Sequence, residues 1–168
     1  TQDCNLACPT CFVGCVPGDD RYARPGDILR TLDAVLEREG GRLDLVMLSG
    51  GEPTLYPGLP GLLDDILGRE VTRAIVNTNG LRLARDDELL TALADRRERV
   101  EVYLQYDGPS GAVYQELRGT DFTTQKQQAI ARLSAAEVFT TFACTVAAGV
   151  NEGSLGEVAE LALATDHC

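Results

Sequence analysis

Apolar residues along this chain follow two periods that alternate from beginning to end. Short runs of strand-forming residues fall at about 43–48 (LDLVML), 72–77 (TRAIVN), 100–106 (VEVYLQY) and 139–147 (FTTFACTVA). Between them the apolar positions recur at helical spacing. Ile28, Leu29, Leu32, Val35 and Leu36 mark a helix at about 26–39, which Gly40-Gly41 stops. Leu59, Leu62, Leu63, Ile66 and Leu67 mark one at 58–69, and Leu89, Leu90 and Leu93 one at 86–97. Ile130 and Leu133 belong to a helix at 123–136; Leu155, Val158, Leu161 and Ala162 belong to one at 153–165. A single helical turn is expected around 113–117. Residues 1–15 read as a loop leaving a truncated strand, 16–25 (VPGDDRYARP) as turns, and 166–168 as the lead-in to a further strand.

Strand–helix alternation predicts right-handed βαβ units and a parallel sheet, hence an α/β fold. The polar, glycine-rich segments SGGEP (49–53), NTNG (77–80) and QYDG (105–108) all fall where a strand ends. In open α/β sheets and β/α barrels that edge is where ligands bind. The first loop reaches the same edge, so these four segments should converge on one mouth.

A chain of 168 residues with 44% hydrophobic residues suits one domain with a real core. The formal charge of −11, from 26 acidic and 15 basic residues, argues against a nucleic-acid partner and an anionic membrane surface. No apolar run is long enough to span a bilayer. The basic residues are nearly all arginines, and the single lysine, Lys126, reads as codon bias without functional weight. The chain starts and stops abruptly, as a segment of a longer protein would.

Four of the six cysteines lie within the first fifteen residues. That clustering argues against a disulfide scaffold and for thiolate metal ligands in a reducing compartment, the cytoplasm. Cys4, Cys8 and Cys11 stand as C-x3-C-x2-C, and Cys15 follows. Three thiolates on a four-iron cluster leave one iron open for a non-protein ligand. The alternative is tetrahedral zinc held by Cys4, Cys8, Cys11 and Cys15, but no second C-x2-4-C unit exists and the spacing favours the cluster. In SGGEP the glycines allow a close backbone approach to a ligand, and Glu52 offers an acceptor for a cation such as an amine. Cys144 reads as core. His167, the only histidine, and Cys168 carry no assigned role.

CNLACPTC, LSGGEPTL, NTNG and QYDG, in this order and spacing, resemble the radical S-adenosylmethionine superfamily, and the resemblance covers essentially the whole chain. It implies a partial TIM barrel of the (β/α)6 type, here truncated at both ends. It also implies a [4Fe-4S] cluster on Cys4, Cys8 and Cys11, with S-adenosylmethionine on the open iron, cleaved to a 5′-deoxyadenosyl radical that abstracts a substrate hydrogen. Gly50, Gly51 and Glu52 would meet the methionine amino group. Gln105 or Asp107 would contact ribose or carboxylate, Thr78 and Asn79 would line the cavity, Arg118 would pair with the carboxylate, and Val146 would pack on adenine. A low-potential donor such as flavodoxin or ferredoxin would supply electrons, and the substrate would be a small molecule, a lipid or a peptide. Many members carry an aromatic residue just before the third cysteine; here it is Thr10, with Phe12 following the cysteine. The CPTCF form, with YLQYDG and YQELRG, looks most like the branch of tetraether-lipid synthases and archaeal pterin methylases, and more distantly like molybdenum-cofactor cyclases and peptide-maturing enzymes. A fold that keeps the α/β frame without the cluster is the remaining alternative.

Overall fold

A computed structural model describes all of residues 1–168. The elements run α1 (Pro25–Arg38), β1 (Leu43–Leu48), a 3₁₀ turn (Pro53–Leu55), α2 (Leu59–Leu67), β2 (Val71–Thr78), α3 (Asp87–Ala94) and β3 (Val100–Gln105). They continue with α4 (Gly111–Arg118), α5 (Thr123–Ala135), β4 (Thr140–Ala143), a second 3₁₀ turn (Glu152–Ser154) and α6 (Leu155–Ala164). The four strands form one parallel sheet in the order β1-β2-β3-β4. Register places Val46 beside Ala74, Val76 beside Val102 and Leu104 beside Phe142. Parallel neighbours require crossovers, and the helices supply them.

The two faces of the sheet differ. Ala74 and Val76 of β2 and Val100, Val102 and Leu104 of β3 point into the core. There they meet Leu59, Leu62, Leu63 and Ile66 of α2, Leu89 and Leu93 of α3, and Ala129, Ile130 and Leu133 of α5. Each fully buried leucine or isoleucine here contributes about 2 kcal/mol of apolar burial. The opposite face carries no helices: Leu45 and Met47 of β1 are 48% and 42% exposed. A parallel sheet with helices on one side and an open inner face is part of a β/α barrel wall.

The ends of the chain stay irregular, and two elements change in detail. Residues 1–3 run extended beside the turn after β1, where Gly51 N–H donates to Thr1 O and Glu52 N–H to Asp3 O, each at 2.8 Å. The last strand stops at Ala143 instead of 147, because side chains take the next donors. Asp107 Oδ1 accepts from Thr145 N–H at 3.0 Å, and Asn151 Oδ1 accepts from Ala147 N–H at 2.8 Å. The turn expected around 113–117 is an eight-residue helix, α4, that buries Val113, Tyr114 and Leu117. At the end of the chain Asp166–Cys168 forms no strand, although His167 O accepts from Thr140 N–H at 2.8 Å on the edge of β4.

Candidate active site

A cavity of about 660 Å³ opens at the C-terminal edge of the sheet. Its walls are Cys4, Leu6, Cys8 and Thr10–Val13 of the first loop, Ser49–Glu52 after β1, and Asn77–Asn79 at the end of β2. Tyr103 and Gln105 of β3, Arg118 of α4, Ala143 at the end of β4 and Cys144 and Thr145 after it complete the wall. Every strand thus delivers its terminal residues to one place, as the topology of a parallel sheet requires.

The first loop is held at several points. Thr10 Oγ1 donates to Leu117 O at 2.9 Å, tying the loop to the last turn of α4. Asn79 Nδ2 donates to Asn5 Oδ1 at 2.7 Å, tying it to the end of β2. The Asp3 carboxylate accepts from Tyr22 OH at 2.6 Å and from Gly18 N–H at 3.2 Å. Cys4, Cys8 and Cys11 are unpaired thiols, partly exposed on the cavity wall. Burial pushes the Cys4 thiol up to about 11, against a backbone hydrogen bond at Leu6. At Cys11 burial also raises the thiol, but backbone hydrogen bonds at Cys15, Val13 and Gly14 and the charge of Arg118 outweigh it and leave the thiol below its ordinary value.

Gly50 and Gly51 are needed for a close approach, but the approaching backbone is the chain's own. A Cβ on Gly50 would lie 2.2 Å from Thr1 O, and one on Gly51 would lie 2.2 Å from Asp3 O. Glu52 lines the cavity yet is only 1% exposed. Its Oε1 accepts from Thr54 N–H at 3.0 Å, Thr54 Oγ1 at 2.7 Å and Thr78 Oγ1 at 2.6 Å, and its Oε2 accepts from Asn79 N–H at 2.8 Å. The carboxylate therefore joins the ends of β1 and β2, and Oε2 keeps acceptor capacity for one more donor.

A second buried network underlies the other wall. Asp107 is fully buried and does not line the cavity. It accepts from Arg118 Nε at 2.7 Å and Arg118 NH2 at 2.8 Å, a bidentate pair, and from Gln105 Nε2. Arg118 NH2 also donates to Thr145 Oγ1 at 2.8 Å, which links α4 to the segment after β4. Lys126 of α5, 1% exposed, donates to Asn79 O at 2.6 Å, Gln105 O at 2.6 Å and Gln105 Oε1 at 2.7 Å. Burial draws its ammonium down to about 7, with the charge of Asp107 pulling the other way.

The profile of the Radical SAM superfamily matches residues 1–162. The chain belongs to that superfamily. This radical SAM chain is 30% identical over 164 residues to the mycofactocin maturase MftC of Mycobacterium tuberculosis, spanning 96% of this chain and 40% of that one. It is 26% identical over 159 residues to the 7,8-dihydro-6-hydroxymethylpterin dimethyltransferase of Methanocaldococcus jannaschii, spanning 94% and 31%. Streptococcus suis SuiB bound to S-adenosylmethionine shares the fold at a TM-score of 0.70 and 20% identity, over 95% of this chain and 35% of that one. The chain spans roughly a third to two-fifths of the length of the curated relatives it matches.

The superfamily uses a [4Fe-4S] cluster and S-adenosylmethionine, and the residues present fit both. Three thiols on one wall are a donor set for a cluster with an open iron, although no three metal-ligating side chains are drawn into a closed group. The cavity volume lies in the range of small-molecule sites. The zinc alternative finds no support: Cys15 is 7% exposed and is not on the cavity wall. Gly50, Gly51, Glu52, Thr78, Asn79, Gln105 and Arg118 are brought together around the cavity. Asp107 stands behind Arg118, and Val146, 54% exposed, lies off the wall. Of the cysteines read as bystanders or core, Cys144 does line it. Reading Lys126 as codon bias missed a buried cation under the site. The signal was present: Lys126, Ala129, Ile130 and Leu133 share one helical stripe, and a charge on an apolar stripe must find partners inside.

Proposed function

We propose that this chain is the core of a radical SAM enzyme, with Cys4, Cys8 and Cys11 as ligands of a [4Fe-4S] cluster and S-adenosylmethionine in the adjoining cavity. The observation that carries this reading is the convergence of the three thiols with Ser49–Glu52, Asn77–Asn79 and Gln105 on one cavity. When bound, the two cofactors supply reductive cleavage to a 5′-deoxyadenosyl radical, which takes a hydrogen atom from the substrate. The chain's own residues bind and orient. The Ser49–Glu52 turn offers backbone groups and the free capacity of Glu52 Oε2 to the methionine ammonium. Arg118, its charge partly neutralised by Asp107, faces the methionine carboxylate. Asn79 and Gln105 border the ribose.

A low-potential flavodoxin or ferredoxin supplies the electrons, and the substrate is a small molecule, a lipid or a peptide. Its relatives and structural neighbours include a pterin dimethyltransferase, a mycofactocin maturase and a SuiB bound to a precursor peptide. Six free cysteines suit the reducing cytoplasm, and no helix is long and apolar enough to cross a membrane. Anaerobic reconstitution tests the reading. The chain should take up iron and sulfide in equal amounts and bind S-adenosylmethionine; replacing Cys4, Cys8 or Cys11 with Ala should abolish iron, while Cys15→Ala retains it. Stoichiometric zinc without sulfide would refute the reading.

A further inference from the structure

We infer that Lys126 is a positioning residue of the cofactor cavity, fixing the Gln105 amide and, through it, the Asp107–Arg118 pair beside Cys8. The inference rests on the proposed S-adenosylmethionine site. An ammonium has three N–H donors, and Lys126 meets three acceptors within 2.7 Å. Two of these are backbone carbonyls, Asn79 O and Gln105 O, which pin the ends of β2 and β3 to α5. The third contact has a different consequence. By donating to Gln105 Oε1, Lys126 decides which way the amide faces. Nε2 must then point to Asp107 Oδ2, and it does.

The remaining lone pairs of Asp107 are taken by Arg118 and Thr145 N–H, so the guanidinium has one allowed orientation. Arg118 and Cys8 line the same cavity. Lys126 itself lies outside the cavity lining, whereas Gln105 and Arg118 are on it. Without the ammonium the Gln105 Oε1 loses its donor, and the amide is held only by its contact with Asp107. The Tyr114 ring, 5.7 Å from Nζ, adds a cation–π contact that favours the charged side chain in this place.

A purely structural lysine and a positioning lysine differ in how its loss combines with loss of Gln105. Equilibrium binding of S-adenosylmethionine to the reconstituted chain is measured for wild type, Lys126→Met, Gln105→Ala and the double variant, with melting followed in parallel. Lys126→Met should weaken binding about tenfold, and in the Gln105→Ala background it should add almost nothing. Lys126→Gln, which keeps one neutral donor, should fall between wild type and Lys126→Met and serves if Lys126→Met does not fold. Additive losses, or unchanged affinity in a folded variant, overturn the inference while leaving the site standing. If neither Lys126 variant folds, the lysine serves stability alone and the inference fails. A wild-type chain that takes up no S-adenosylmethionine refutes the underlying site instead.

Discussion

Replacing Gly51 with alanine probes how the first metal-ligand candidate is held in place. Gly50 adopts φ +135°, so a side chain there is strained regardless of space. Gly51 has no positive φ, and Gly51→Ala therefore isolates one contact. The new Cβ would lie 2.2 Å from Asp3 O, 2.8 Å from Asp3 C and 2.9 Å from Gln2 O. Carbon–oxygen contacts settle well above 3 Å, so residues 2–3 must recede by roughly 1 Å. The two 2.8 Å hydrogen bonds that dock this segment, from Gly51 N–H and Glu52 N–H, then stretch past hydrogen-bonding range. Losing them costs about 1 kcal/mol each, and residual overpacking adds about 1–3 kcal/mol. Undocking residues 1–4 relieves all of it, so the penalty falls on the loop and spares the sheet. Cys4 follows Asp3 directly and leaves the cavity wall with it. The expected result is loss of most iron after anaerobic reconstitution, with faster hydrogen exchange at the Gly51 and Glu52 amides and a nearly unchanged melting transition. Full iron uptake by Gly51→Ala would refute the reasoning.

Glu52→Ala strips the acceptor from four donors in a site 1% exposed; it should cost about 3 kcal/mol and lower the melting temperature by on the order of 10 °C, whereas an unchanged transition would mean the donors find other partners. Asp107→Asn leaves the Arg118 guanidinium without its carboxylate and should destabilise by about 3–5 kcal/mol in urea denaturation. Removing both partners together, as Asp107→Leu with Arg118→Met, should cost less than Asp107→Asn alone. Thr10→Val removes the bond to Leu117 O; iron should still bind, while amide exchange in residues 8–14 accelerates severalfold, consistent with loss of about 1 kcal/mol.

Much of this was legible in the chain because two periods alternate cleanly. LDLVML, TRAIVN and VEVYLQ became strands, and the leucine stripes became the helices that cover them. The convergence of SGGEP, NTNG and the cysteine loop followed from topology alone. What escaped depended on contacts between distant segments. Nothing in SGGEP says that residues 1–3 pack against its glycines, and nothing in FTTFACTVA says that Asp107 and Asn151 will take the donors that would have extended β4 past Ala143. The expected place of Val146 on the cavity wall rested on that longer strand. Lys126 was misjudged for a different reason: a lone charge was weighed by residue statistics, although its position on the stripe of Ala129, Ile130 and Leu133 is a statement about depth.

The uncovered face of the sheet has a consequence for how such a chain can change. Stability resides on the helical side, in Val76, Val102, Leu63 and their neighbours, and the cofactor edge is built from strand ends and backbone groups. Leu45 and Met47 belong to neither. A substitution at these positions leaves the core packing and the cysteine loop intact and changes only the exposed face of the sheet. The architecture therefore separates what must be kept from what can vary, and the inner wall tolerates change at little cost to folding.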